Sequence, residues 1–397
     1  MRIELTARQK QRQSEIRAFA GKYVGPRAGE FDRQEAIPPD LFVQIAGRGY
    51  FGSHVPRDHG GRGFDMITYG LLHEEIGRAC SSVRTLLTVH DMVVEAILRL
   101  GGEAQRNAWL PMLTAGEALA AFALTEPDAG SDAAGIVTNA SEEGNGYVLA
   151  GHKKWISFGQ IADVFLVVAR IGEKGSLGGF LVKRDTPGLT ITPMRGLLGL
   201  RASMLAELRF DRCRLPGDAR VGSDKLPAGL LTATALHLGR YGVAWGCAGI
   251  GEACLEASFR YSGERKQFGV PIKQHQLIRR MLTNMKADVS AARLLCLQAG
   301  YLRDTRDPSA VHATLMAKYF ASRMVTRVAN DAVQIHGANG CSGALPIERY
   351  FRDARVMEII EGSSEILQLT IAKYGGEEYG TPEAATRSVR RRDPGRP

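Results

Sequence analysis

The hydrophobic periodicity of this chain changes twice, and that double change restricts the fold more than any composition figure does. From Leu5 to about Gly116 apolar residues recur three and four positions apart, as in residues 67–76 and 92–100, which is the spacing of amphipathic helices. Breakers fall between them, at Ile37-Pro38-Pro39-Asp40 and at His59-Gly60-Gly61-Arg62-Gly63. From about Ala118 the pattern shortens to alternation or brief apolar runs, at residues 120–124, 147–151, 164–169, 179–182 and 206–210, separated by Gly, Asp and Pro turns. Long helical spacing returns from about Pro227 to Tyr374, interrupted at residues 268–271 and 337–346. The expected fold is therefore α+β and multidomain but mostly α. Its expected parts are an N-terminal helical domain at 1–118, a middle β domain at 119–225, a C-terminal helical domain at 226–376 and a basic, disordered tail at 377–397.

A chain of 397 residues can enclose a large cofactor. No apolar run approaches the ~20 residues of a membrane span, and the N-terminus has no signal-peptide core, so a cytoplasmic location away from the membrane is expected. The formal charge of +9 suits an anionic cofactor or an acidic protein partner. Nucleic acid is not expected, because no basic stripe interleaved with aromatics accompanies the charge; Arg387, Arg390, Arg391, Arg392 and Arg396 cluster only in the tail. Six scattered cysteines, without a C-x-x-C pair, read as buried fillers, and no metal site is expected. There is no G-x-G-x-x-G after the first strand, no P-loop and no G-x-S-x-G elbow. His90, His237 and His336 stand too far apart in sequence to argue for a triad.

Four segments carry chemistry. In Met357-Glu358-Ile359-Ile360-Glu361-Gly362-Ser363-Ser364-Glu365, apolar neighbours would dry Glu361 and raise its pKa toward general-base range. Gly362 and Ser363 offer a helix start, with Glu365 at the spacing of a reciprocal cap on Gly362. Thr125-Glu126-Pro127-Asp128-Ala129-Gly130-Ser131-Asp132 follows a strand and can bring backbone N–H groups to a phosphate, or is an acidic turn. Lys153-Lys154-Trp155-Ile156-Ser157 puts an aromatic and a hydroxyl at a strand edge, where Trp155 either covers a planar ring or fills a core. Glu264-Arg265-Lys266-Gln267-Phe268-Gly269 ends a helical run with cations and an aromatic, suited to a pyrophosphate or simply to the helix dipole.

In this order and at these separations the segments resemble the acyl-CoA dehydrogenase family of flavoproteins, from about residue 5 to about 376. The likeness is carried by residues 124–132, by Gln334-Ile335-His336-Gly337-Ala338-Asn339-Gly340 continuing through Arg352-Asp353-Ala354-Arg355 to Glu361-Gly362, by residues 199–203 leading to Phe210 and Pro216, and by residues 264–269. The resemblance implies a β-barrel-like or sandwich middle domain and a C-terminal four-helix bundle, with FAD between the two. It implies that Phe122, Leu124 and Thr125 face the flavin ring, that Gly130 and Ser131 sit on the pyrophosphate with Ser131 also bordering substrate, and that Trp155 and Ser157 cover the ring's other side. Arg265, Phe268, Gln334, Gly337 and Ala338 would reach the FAD of a neighbouring subunit, so a homodimer or homotetramer is expected. Ser363 and Glu365 would meet the adenosine half. Glu361 would take the α-proton of an acyl thioester while its own N–H and a ribityl hydroxyl hold the carbonyl oxygen, hydride passing from Cβ to FAD and on to a separate electron acceptor.

Departures bear on substrate. Ile360 stands where the family commonly has a pocket-shaping Tyr, and Arg240 matches the arginine at the thioester tail, but His237 replaces an acid three residues before it. Ala338 replaces the second glycine of a Gly-Gly turn, tolerable where its φ is negative. Residues 353–365, 86–90 and 241–247 look more like the branch found in polyketide and nonribosomal pathways, which acts on thioesters of a carrier protein and includes the member serving the methoxymalonyl extender unit. Free CoA thioesters are the alternative substrate. A flavin monooxygenase on the same scaffold typically lacks the carboxylate that Glu361 supplies.

Overall fold

In the computed structural model, residues 4–172, 175–223, 227 and 229–380 are described. The arginine-rich tail of the sequence reading lies outside them. The N-terminal part holds α1 (Ala7–Phe19), α2 (Ala28–Gln34), α3 (Pro39–Gly47), α4 (Met66–Ala79), α5 (Ser81–Leu100) and α6 (Glu103–Ala115). Local chemistry sets the ends of these helices. Thr6 and Gln9 cap α1 reciprocally, Gln9 N donating to Thr6 Oγ1 at 3.2 Å and Thr6 N to Gln9 Oε1 at 2.9 Å. Asp65 caps α4 through Thr68 N at 2.7 Å.

The middle domain is one eight-stranded sheet: β1 (Ala120–Ala123), β2 (Asn139–Glu143), β3 (Gly146–Ile156), β4 (Val164–Ile171), β5 (Leu177–Lys183), β6 (Leu189–Pro193), β7 (Ala206–Pro216) and β8 (Arg220–Val221), in the order β6-β7-β3-β2-β4-β5-β8 with β1 parallel to β4. Three strands were not legible from periodicity. Asn139–Glu143 is polar and largely exposed, Leu189–Pro193 lies at the sheet edge, and Arg220–Val221 spans only two residues, so none buries an alternating face.

The C-terminal part holds α7 (Leu230–Glu264), α8 (Gln276–Asp304), α9 (Ala310–His336), α10 (Ile347–Met357) and α11 (Ser364–Tyr379). Between α7 and α8 the expected break is a hairpin of β9 (Lys266–Gln267) and β10 (Val270–Pro271). Five cysteines are buried, as read from sequence; Cys341 is exposed. No described helix is long and apolar enough to cross a membrane.

The fold converges on α10. Arg352 pairs with Asp32 of α2 at 2.7 Å and donates to Leu198 O at 3.0 Å, while Asp353 accepts from Leu200 N at 2.7 Å. Consecutive residues thus join the C-terminal part to both other domains. The longest helix, α7, crosses α4 and α5 through glycines. A Cβ at Gly249 would stand 2.1 Å from Glu74 O, at Gly246 2.9 Å from Arg84 Cδ, and at Gly242 3.2 Å from Thr88 Oγ1. Each such glycine costs a helix interior about 1 kcal/mol relative to Ala, so the close approach must return more than that. Gly249→Ala is therefore expected to push α7 from α4 and destabilise the protein by about 1–3 kcal/mol, read as a lower midpoint in thermal or urea unfolding.

Candidate active site

Glu361 is placed by the turn that ends α10. Ile359 N and Ile360 N both donate to Val356 O, at 3.0 and 3.2 Å, and then Glu361 and Gly362 turn left-handed with φ of 56° and 97°. A left-handed glutamate is strained and persists only where surroundings fix it. Two cations do so through the main chain: Arg240 Nε donates to Glu361 O at 2.9 Å, and buried Lys318 donates to Gly362 O at 2.7 Å. The turn aims the side chain at α7, where a Cβ on Gly239 would lie 2.6 Å from Glu361 Oε2. The carboxylate therefore rests against bare helix backbone beside Met92.

The residue as a whole is partly accessible, but Oε2 is sealed from solvent and has no hydrogen-bond partner. Burial raises the Glu361 pKa to about 7, against the opposing pull of Arg240, Lys318 and Arg84. Burial likewise brings Lys318 down to about 8. Among the described residues the Glu361 N–H donates to no protein acceptor. An acid of raised pKa and a free N–H thus project from one strained residue. The reciprocal cap expected between Gly362 and Glu365 is absent. Ser363 caps α11 through Ile366 N at 3.4 Å, one position later than read, and Glu365 lies exposed in the first turn.

A second group forms where β1 and β3 end. Lys153, wholly buried, donates to Leu124 O at 2.8 Å and to Glu126 Oε1 at 2.7 Å, and Lys154 N donates to Thr125 O at 2.9 Å. Glu126 also accepts from Val137 N at 2.7 Å and Thr138 N at 3.0 Å, so the acidic loop is pinned from inside. Burial lowers the Lys153 pKa to about 8 even with Glu126 beside it. The register of β3 on β7 shifts between Lys153 and Ile156, and in that irregularity Trp155 adopts φ 63°. The residue is 50 % exposed, which rules out the core-filling alternative. Phe122 on β1 and Ser157 in the turn after β3 are half-buried, Gly130 and Ser131 are exposed, and a Cβ at Gly130 would meet nothing within 4 Å.

The third group joins the ends of α7 and α9. Tyr261 stacks on His336 at 4.4 Å and accepts from Asn339 Nδ2 at 2.8 Å, and Tyr261 O receives Arg265 N at 2.8 Å. His336 is buried and bonded to Ala332 O, which makes it a packing residue. Gln334, Gly337 and Ala338 are exposed; Gly337 takes φ 59°, and Ala338 is not among the left-handed residues, so its methyl is tolerated. Phe268 and Gly269 are both left-handed, the requirement of a type I′ hairpin turn, and the Phe268 ring is 94 % exposed.

An FAD fits this surface. The exposed indole offers a face to a flat ring, the half-buried Thr125 hydroxyl has no protein partner among the described residues, and the open Gly130–Ser131 backbone admits a phosphate. Sequence reasoning missed Lys153, Lys318 and Arg84. Lys318 is a lone cation between Ala317 and Tyr319 and Arg84 one between Val83 and Thr85, and that isolation was the available signal, whereas Lys153 stands between His152 and Lys154 and carried none.

Helical domains flanking a sheet, a dried and unpartnered acid at the turn after α10, and an exposed indole beside an open small-residue loop together suit a flavoprotein dehydrogenase scaffold. The chain belongs to the FAD-dependent acyl-CoA dehydrogenase family, matching its N-terminal domain over residues 6–117, its middle domain over 121–213 and its C-terminal domain over 230–375. It is 38% identical to the probable acyl-CoA dehydrogenase YngJ of Bacillus subtilis, over 94% of this chain and 99% of that one. It is 36% identical to the human mitochondrial short-chain specific acyl-CoA dehydrogenase, over 90% of this chain and 87% of that protein. Among solved structures it is similar to FkbI, of methoxymalonyl extender-unit biosynthesis for the FK520 polyketide, with a TM-score of 0.84, 33% identity and coverage of 92% and 99%.

Removing the Lys153 charge should leave Glu126 buried and unpaired. Lys153→Met is expected to destabilise the protein by about 3–5 kcal/mol and to release FAD more readily, measured by thermal unfolding and by flavin retention on dilution.

Proposed function

We propose that this protein oxidises the Cα–Cβ bond of an acyl thioester with Glu361 as the base, the acyl group being carried on an acidic carrier protein. The reading rests on one observation: the sealed, unpartnered Oε2 of Glu361 and the unused N–H of the same residue lie at one strained turn. Bound FAD supplies the acceptor for the hydride that leaves Cβ. Glu361 receives the proton from Cα through its carboxylate, and its N–H donates to the thioester oxygen as that oxygen gains negative charge. Arg240 and Lys318 hold the turn through carbonyl oxygens, so the base keeps its aim without an ion pair that would lower its basicity. Arg240 thereby acts on the main chain of the base; in the sequence reading it stood at the thioester tail.

The product is an α,β-unsaturated thioester, and a separate electron carrier then reoxidises the enzyme. Similarity to FkbI and a net charge of +9 support the carrier-protein tether. At His237 burial and Arg303 lower the pKa to about 3, so position 237 offers a neutral imidazole where an acid is usual in the family. Thr125, Trp155 and Ser157 line the ring, Gly130 and Ser131 the pyrophosphate, and the exposed Arg265, Phe268, Gln334, Gly337 and Ala338 complete the site of a second copy. Ser363 and Glu365 meet the adenosine half, and Ile360 shapes the acyl end.

Glu361→Gln should retain its yellow colour yet show no anaerobic bleaching with substrate, with kcat down by about 10²–10⁴-fold. An enzyme that still bleaches would remove Glu361 from the mechanism. Because the active form is the carboxylate and burial raises its pKa to about 7, kcat/KM should climb as pH rises through about 7. Lys318→Met, which deletes a stabilising cation, should move that limb to higher pH. Esters of one acyl group on a carrier protein should reduce the flavin faster than the same esters of CoA; equal or reversed rates would assign free CoA as the carrier.

A further inference from the structure

Residues 358–363 join the end of α10 to the start of α11, and Glu361 lies at their apex. Arg240 and Lys318 hold that apex, at Glu361 O and Gly362 O. The feet of the turn are held by a different pair. Ser364 N donates to Glu358 O at 3.0 Å and Ser364 Oγ donates to Glu358 Oε2 at 3.3 Å, so one buried serine bonds both the main chain and the carboxylate of one half-buried glutamate. Arg355 comes no closer to that carboxylate than 3.9 Å. Capping of α11 does not call for the pair, because Ser363 is the N-cap and already takes Ile366 N. What the pair does is close the chain across a strained residue. A left-handed glutamate relaxes to negative φ once its flanks can part, and that would swing Oε2 off the Gly239 backbone and into water.

We propose that Glu358 and Ser364 are positioning residues, a clasp that closes the turn and keeps the Glu361 carboxylate dry and aimed at the substrate Cα. This rests on the thioester oxidation inferred above. The charged groups that face Glu361 are Arg84 from α5, Arg240 from α7 and Lys318 from α9, and all three favour its ionised form. Only burial pulls the other way and raises the pKa to about 7. An opened clasp rehydrates the carboxylate, so its pKa falls toward that of an ordinary glutamate. Loss of one of the cations does the reverse. The direction of the shift therefore separates a loosened turn from a missing charge.

The test follows kcat, and kcat/KM against pH, for holoenzyme variants turning over one acyl-CoA ester, with the thermal midpoint measured alongside. Ser364→Ala removes one hydrogen bond and no charge. It is expected to keep its flavin, to lose about five- to thirty-fold in kcat, and to move the acidic limb of kcat/KM downward from near 7 by about half a unit or more. Glu358→Ala should do the same, and the double variant no more than either alone, because all three delete one contact. Glu358→Gln gives up the charge but keeps an acceptor, so it should recover most of the rate and the wild-type limb. The contrast between Glu358→Ala and Glu358→Gln serves if Ser364→Ala fails to fold. A lower midpoint with an unmoved limb, an upward shift, or effects that add in the double variant would reduce the pair to a cap of α11 and overturn the proposal. Anaerobic bleaching tests the oxidation separately. Bleaching that survives Glu361→Gln removes the base itself, whereas an unmoved limb in an enzyme whose bleaching requires Glu361 removes only the clasp.

Discussion

The contact on which this structure depends is the seat of one carboxylate against a helix that has no side chain there. Glu361 can be desolvated because Gly239 lets the α7 backbone come to its oxygen; any larger residue would occupy the same space. The turn that delivers the acid is itself unfavourable, with a left-handed glutamate followed by a left-handed glycine, and two cations offset that cost by capping its carbonyls. These cations could have paired with the carboxylate directly. Bonded to the main chain instead, they act at longer range, and burial wins: the Glu361 pKa stands near 7, where a carboxylate is basic enough to take a proton from carbon and still ionised in a useful fraction.

That turn inherits its position from the junction at α10. Arg352 and Asp353 fix the helix against α2 and against the segment entering β7, so the acid at its end moves only if all three domains move. The same logic pins the loop proposed to face the flavin. Lys153 ties Leu124 O and the Glu126 carboxylate into one buried cluster, and the strand irregularity that follows it turns Trp155 outward. Both halves of the site are thus held by charged groups placed inside the protein, where removing one partner leaves an uncompensated charge.

Much of this was legible in the sequence and some was not, for separable reasons. The two changes of period located the helical and β regions because burying a face imposes 3.6- or 2-residue spacing on any chain. Polar Asn139–Glu143 buries almost nothing and left no such mark. The raised pKa of Glu361 was foreseen but its cause was not, since the bare α7 backbone at Gly239 and Met92 dry the acid while Ile359 of the apolar run lies exposed; the helix start after it was visible as Gly-Ser-Ser. The cap slipped by one position because Gly362 was needed for the left-handed turn, leaving Ser363 to cap. Arg240 was found but its partner was not, since a bond to a backbone carbonyl has no sequence signature. Arg84 and Lys318 were passed over because a single cation in a helix ordinarily marks the solvent face, and only the packing reveals that these two look inward.

Backbone strain connects these observations. Among the described residues other than glycine, left-handed φ is found at Glu35, Trp155, Phe158, Leu200, Met204, Arg212, Phe268, Arg306 and Glu361. Large side chains avoid this region, so each position is held there by its neighbours at a cost of order 1–3 kcal/mol. Core packing alone accounts for Phe158, which is fully buried. It does not account for Trp155 or Phe268, whose rings are turned toward solvent, nor for Glu361, whose carboxylate is left without a partner. In these three the strain presents a flat face or an unsatisfied acid to something other than this chain. They occupy three of the segments assigned to the proposed site: the strand edge, the hairpin tip and the turn after α10. A fold selected for stability alone would have placed glycine or asparagine at such positions. At these three positions the strained backbone carries tryptophan, phenylalanine and glutamate, the groups that the proposed reaction would turn toward a planar cofactor and a carbon acid.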